Sequence, residues 1–74
     1  MEIFNRDIRK RDNCVIRISA HEMSGYRFID MRQYYKDDKG EYKPSEKGFT
    51  FHDDKLAEVI KVLIEVMQFM DQTQ

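Results

Sequence analysis

Seventy-four residues with a formal net charge of −1 make one domain, residues 1–74, whose small core is marginal without a disulfide, a metal or a partner subunit. The lone Cys14 excludes an internal disulfide and has no second thiol at metal-ligand spacing, so it reads as a small apolar strand residue of an intracellular protein, and oligomerisation is the remedy left. Glu58, Lys61, Glu65 and Gln68 break the longest apolar-rich stretch, Leu56 to Met70, which excludes a transmembrane segment, and Met1 is followed by no apolar run of signal-peptide length.

The elements are four strands and one helix. Residues 2–9 form a weak first strand, closed by the polar turn RKRDN. CVIRISA, residues 14–20, is β-branched and reads as the second strand. HEMSG turns the chain, with Gly25 able to take positive φ without steric cost. YRFIDMRQYYK is a long third strand, and DDKGE is a turn built around Gly40. The fourth strand, YKPSEKGFTF, is irregular at Pro44 and Gly48, which suggests an edge or a bulge.

The remainder is a helix from about Asp53 to Met70. Asp53 and Asp54 stand where free N–H groups and the helix dipole favour an acid. A helix start explains HDD more cheaply than a metal site does. Leu56, Ile60, Leu63, Met67 and Met70 form one apolar stripe, and Val59, Val62, Val66 and Phe69 lie off it. One sheet face covers only one stripe. We therefore expect a homodimer with Val59, Val62, Leu63, Val66, Met67, Phe69 and Met70 at its interface, rather than a helix sunk in its own core. Burying a further ~300 Å² per subunit contributes roughly 7 kcal/mol before entropic costs. The mostly acidic polar face argues against a membrane-surface helix.

The charge is unevenly spread. Residues 1–47 hold eleven Lys or Arg against nine Asp or Glu, and residues 48–74 hold two against five. The first part is mildly basic, a hint of an anionic ligand there. In IDMRQYYKDDKGEYKPSEKGFTF, cations and rings interleave. Lys and Arg can neutralise phosphates, and aromatic rings can stack bases, a pairing that suits unpaired nucleic-acid strands. Each feature also has a plainer account. Tyr34 and Tyr35 could be strand packing, Arg32 could pair with Asp30 or Glu41, and Lys36 to Lys47 could be a solvated hairpin. Arg32 and Tyr35 are three apart, so a regular strand points them to opposite faces. They can serve one ligand only through a twist, a bulge or an edge. No turnover chemistry can be built: Cys14 has no evident His partner, no phosphate loop occurs, and neither histidine has metal-spaced companions.

These residues resemble the C-terminal domain of the transcriptional coactivator positive cofactor four. The pattern is Ile29, Asp30, Met31, Arg32, Tyr34 and Tyr35, then Gly40 and Glu41, then Lys43, Pro44, Lys47 and Gly48. The likeness runs over about residues 14–70. It implies an α+β fold: a four-stranded antiparallel, strongly curved sheet followed by one C-terminal amphipathic helix, dimerising. It also implies a protein that is not an enzyme, needs no cofactor, and binds single-stranded or melted DNA with little sequence preference. By position, Arg32 would contact the strand backbone, Tyr35 would stack in place of the family's usual Trp, and Lys43 and Lys47 would contact phosphate. Arg17, Tyr26 and Lys36 complete the candidate set, with Tyr26 standing where a Lys is common.

The sequence departs from the family in two places. HEMSG is longer than the family's turn and lacks its Phe-Lys-Gly-Lys character, with His21 or Tyr26 as substitutes for the missing ring. Glu46 replaces a usual basic residue. Both changes lower positive charge and point to weaker, less salt-sensitive binding. The expected partners are single-stranded DNA or RNA, a second copy of the chain, and transcription or replication proteins. Without the serine-rich basic N-terminal region of eukaryotic members, a bacterial or phage protein in the cytoplasm is favoured over a nuclear one. The alternative is a protein-interaction or structural dimer that has kept the fold and lost strong nucleic-acid binding.

Overall fold

The computed structural model describes residues 1–73. Four strands, β1 (Glu2–Arg11), β2 (Cys14–Met23), β3 (Tyr26–Lys36) and β4 (Tyr42–His52), form one antiparallel sheet in the order β1-β2-β3-β4. The sheet is open and curved. A 3-10 turn, Asp53–Lys55, leads into the helix α1 (Leu56–Gln72). No described helix is long and apolar enough to cross a membrane.

Turn chemistry sets the strand lengths. Ser24 (φ 51°) and Gly25 (φ 84°) both adopt positive φ, the requirement of a two-residue hairpin turn whose twist matches its strands. The loop expected over HEMSG therefore shrinks to Ser24 and Gly25. His21, Glu22 and Met23 belong to β2 and pair with Phe28, Arg27 and Tyr26. In the same way RKRDN shrinks to Asp12 and Asn13, with Asn13 at φ 63°. The turn over residues 37–41 forms where expected. The Asp37 carboxylate accepts backbone N–H bonds from Lys39 and Glu41, both 2.9 Å, and Gly40 takes φ 83°. The bond from Glu41, then that from Lys39, hold the Asp37 carboxyl below its ordinary pKa.

The irregularity expected at Pro44 and Gly48 is a bulge confined to β4. Arg32 pairs with Gly48 and Tyr34 with Pro44, so residues 45–47 all oppose Gln33. Ser45 closes this excursion. Its hydroxyl donates to the Gln33 carbonyl at 2.9 Å and accepts the Lys47 N–H at 3.1 Å. A Cβ on Gly48 would lie 2.6 Å from the Met31 carbonyl oxygen and 2.7 Å from Arg32 Cα. Only glycine allows the strands to meet there.

The sheet has two unlike faces because side chains alternate. One presents Asp7, Arg17, Arg32, Asp30 and Tyr34. The other presents Ile8, Ile16, Ile18, Ile29, Met31, Phe49 and Phe51. Burial within one chain is slight: among the described residues only Cys14, Val15 and Ile29 are buried apolar side chains. The expected packing of one helical stripe on the sheet is not observed. No residue of α1 is buried. Val59, Val62 and Leu63 line an open cleft of about 460 Å³ opposite Phe49 and Phe51. Ile8 and Phe49 on the sheet face and most of both helical stripes are left exposed together. Asp53 and Asp54 stand in the first turn, as expected of acids at a helix start, although neither caps through its side chain. Asp53 instead accepts a hydrogen bond from Arg27 Nε at 3.1 Å, tying the helix start to β3.

Candidate nucleic-acid interface

β3 keeps an unbroken register with β2 from Tyr26 to Tyr35. Arg32 and Tyr35 therefore point to opposite faces. The β4 bulge does not reunite them, and each belongs to a different cluster.

On the polar face, Arg17 lies directly opposite Arg32. Arg17 donates from Nε and Nη2 to the two Asp7 carboxylate oxygens, at 2.7 and 3.1 Å. Its guanidinium covers the Tyr34 ring at 4.2 Å. The hydrogen bond between Arg17 and Asp7 lowers the Asp7 pKa and raises that of Arg17. Arg32 donates from Nε and Nη2 to Asp30 at 3.0–3.2 Å, and Asp30 raises its pKa. Nη1 of Arg32 donates to the Ser45 carbonyl at 3.0 Å and so steadies the bulge. Arg32 thus has the Asp30 partner that a plain structural role would give it. An arginine carries five N–H donors, and both guanidiniums keep some uncommitted. Lys36 sits over Tyr42 at 5.3 Å.

At the far end of this face four rings gather. His21 stacks on Phe28 at 4.9 Å, and Tyr26 lies 6.2 Å from Phe28 and 5.5 Å from His52. Tyr26 is exposed. Both rings considered as substitutes for the family's turn aromatic, His21 and Tyr26, therefore share one cluster.

Tyr35 belongs to the other face. Arg11 pairs with Cys14, Cys14 with Tyr35, and Tyr35 with Lys43. These four positions form one row straight across the sheet, all on one side. Small, buried Cys14 leaves the ring open to Arg11, whose guanidinium lies 5.8 Å from the ring centroid, and Lys43 is the register partner of Tyr35 on the other side. Tyr35 Oη donates to Gln33 Oε1 at 3.0 Å, which orients the ring. Lys43 reaches Glu41 only at 3.9 Å, with both side chains largely exposed, a pair of little energetic weight. Lys47 lines an open depression of about 510 Å³ with Ile16, Met31, Gln33 and Phe49.

Seven candidates are thus divided. Arg17, Tyr26, Arg32 and Lys36 lie on the polar face. Tyr35 and Lys43 share a row on the other, and Lys47 borders that face. Arg11 and Tyr42 stand outside the expected set, and the structure brings them against Tyr35 and Lys36. The basic run at residues 9–11 is the signal for Arg11, and only strand pairing reveals that Arg11 reaches Tyr35. Of the expected dimer residues, Val62, Leu63, Val66, Met67, Phe69 and Met70 are exposed and Val59 is half-buried.

The model of the family described as Transcriptional Coactivator p15 (PC4) matches residues 13–62. A PC4 homolog from Burkholderia pseudomallei, solved in two crystal forms, is similar in structure. One form has 31% identity and a TM-score of 0.77, covering 84% of each chain. The other has 30% identity and the same TM-score, covering 90% of this chain and 96% of that one. A bacteriophage T5 homolog of the eukaryotic coactivator PC4, implicated in recombination-dependent DNA replication, has 15% identity and a TM-score of 0.73 over 93% of this chain and 83% of that one, a likeness of fold. No curated protein matches the chain.

Proposed function

The chain belongs to the Transcriptional Coactivator p15 (PC4) family, and from that premise we propose that it is a non-enzymatic homodimer binding single-stranded DNA, or the opened strands of a melted duplex, with little sequence preference. The observation that carries this reading is the row Arg11, Cys14, Tyr35, Lys43. A ring between two cations offers an unpaired strand a stacking surface for a base and charge for the phosphates on either side. Lys47 extends that charge along β4. On the polar face the uncommitted N–H groups of Arg17 and Arg32, with Lys36 and the Tyr26 ring, meet a further stretch of the strand. Duplex DNA hides the base faces on which stacking depends.

What one chain leaves uncovered supports the homodimer. The three apolar side chains buried among the described residues cannot by themselves offset the conformational entropy of ordering the chain. A second copy that packs its helix into the Phe49–Phe51 part of the apolar sheet face would cover both stripes of α1 at once and leave the Tyr35 end of that face open. Acting without turnover, the protein would serve transcription, replication or repair in the cytoplasm of a bacterial or phage-infected cell.

A second reading is a dimer that holds protein partners and binds nucleic acid feebly. It is favoured by the carboxylates Asp7 and Asp30, which already occupy Arg17 and Arg32. Fluorescence anisotropy with a labelled single strand of about 20 nucleotides, titrated with salt, separates the two. Binding that weakens steeply with salt supports the first reading. Its absence at low salt sinks that reading and leaves the second.

A further inference from the structure

A second cationic feature lies at the rim where the β1–β2 and β3–β4 turns meet. Arg9, Arg11, Asp12, Asn13, Lys36 and Tyr42 line a depression of about 350 Å³. Its construction depends on an irregularity in β1. Arg9 pairs with Val15, whereas Arg11 pairs with Cys14, and the register shifts between them. Val15 and Cys14 point to opposite faces. The shift therefore splits two arginines that a regular strand would hold on one face, and Arg11 reaches the Tyr35 side while still lining the rim. Lys36 enters from β3 with its ammonium over Tyr42. Three cations and the Asn13 amide thus converge at one end of the sheet. The only carboxylate lining the depression is Asp12, which pairs with Arg9, both side chains at least three-quarters exposed.

Arg9 and Arg11 also fall outside the family match, which begins at residue 13. The fold nevertheless closes them onto Lys36 and Tyr42, inside it. A strand whose base stacked on Tyr35 would pass Arg11, which also lines this rim. We propose that the depression is a phosphate site for the nucleic-acid strand, in which Arg9, Arg11 and Lys36 neutralise one or two phosphates next to the base on Tyr35, carrying the strand from one sheet face to the other. This rests on the single-strand reading above. Tyr42 would support Lys36 by a cation–π contact, and Asp12 would compete with phosphate for Arg9.

The test is anisotropy with an oligothymidylate of about 20 nucleotides, measured across a range of salt for the wild-type chain and for Arg9→Gln/Arg11→Gln. For single strands the slope of log affinity against log salt is about 0.7 per neutralised phosphate, so loss of two contacts lowers it by about 1.4 and weakens binding about 25-fold at 0.1 M salt relative to a 1 M reference. Arg9→Lys/Arg11→Lys keeps the point charges and should keep the wild-type slope, so a folding defect cannot imitate the result. Asp12→Asn should tighten binding. Oligonucleotides with a 5′-phosphate and a 5′-hydroxyl identify the source. A gain from the 5′-phosphate in wild type alone assigns a strand terminus, and equal binding assigns an internal phosphodiester. Wild-type binding with an unchanged slope in the glutamine variant overturns the phosphate site and leaves the single-strand reading intact. No wild-type binding overturns both.

Discussion

Replacing Leu63 and Met67 together by alanine should weaken self-association several hundredfold while leaving the helix formed. In one chain Leu63 is 52% and Met67 58% exposed. Full burial of such a side chain is worth about 1.5–3 kcal/mol, so covering the exposed half contributes about 1 kcal/mol. Two residues in each of two subunits give about 4 kcal/mol, and each 1.4 kcal/mol is a factor of about ten in the dissociation constant. Alanine is the best helix former, so α1 itself is not penalised. Sedimentation equilibrium from low to high micromolar protein reads the dissociation constant, and circular dichroism verifies the helix. Thermal melting supplies an independent readout, because a dimer whose subunit is barely stable alone melts higher as its concentration rises. A wild-type dissociation constant in the variant refutes the interface. A wild-type chain that stays monomeric, helical and concentration-independent in melting refutes the dimer.

Other expectations follow from single contacts. Tyr35→Ala should cost about 1–3 kcal/mol of single-strand affinity by anisotropy, whereas Tyr34→Ala, which removes the ring under Arg17, should act on thermal stability instead. Equal losses of affinity in both would contradict the division between faces. Gly48→Ala drives a methyl into the Met31 carbonyl and the Arg32 backbone, a form of overpacking that costs about 1–3 kcal/mol. An unchanged denaturant midpoint would contradict the β3–β4 register. Asp7 and Asp37 both have folded pKa values below the ordinary one. Their contribution is therefore complete above the unfolded carboxylate value of about 3.9, and is lost as pH falls through the lower folded values. Melting temperature against pH should drop over that acid range, and less so in Asp7→Asn/Asp37→Asn. A flat wild-type profile would remove the assigned role of those two carboxylates.

What could be read in the sequence was mostly local. The third strand, the turn around Gly40, the disturbance between Pro44 and Gly48 and the helical start near residue 53 all declare themselves through short-range chemistry. The hairpin at Ser24 and Gly25 did not, because His21, Glu22 and Met23 carry weak strand preference and become strand through pairing with Arg27 and its neighbours. The three-residue spacing of Arg32 and Tyr35 announced their opposite faces, and the structure keeps them apart. Contacts between distant residues were out of reach. Nothing local pairs Asp7 with Arg17 or Asp53 with Arg27, or puts Arg11 beside Tyr35. The apolar excess of the helix was plain, whereas its separation from its own sheet depends on tertiary packing that periodicity does not encode.

The most direct test of single-strand recognition is competition. A labelled single strand bound to the protein is challenged with unlabelled strand of the same sequence, and separately with the matching duplex, at low and moderate salt. The single-strand reading predicts displacement by unlabelled strand, little displacement by equimolar duplex, and a weaker complex at the higher salt. Equal displacement by strand and duplex would contradict base stacking on Tyr35 as the basis of recognition.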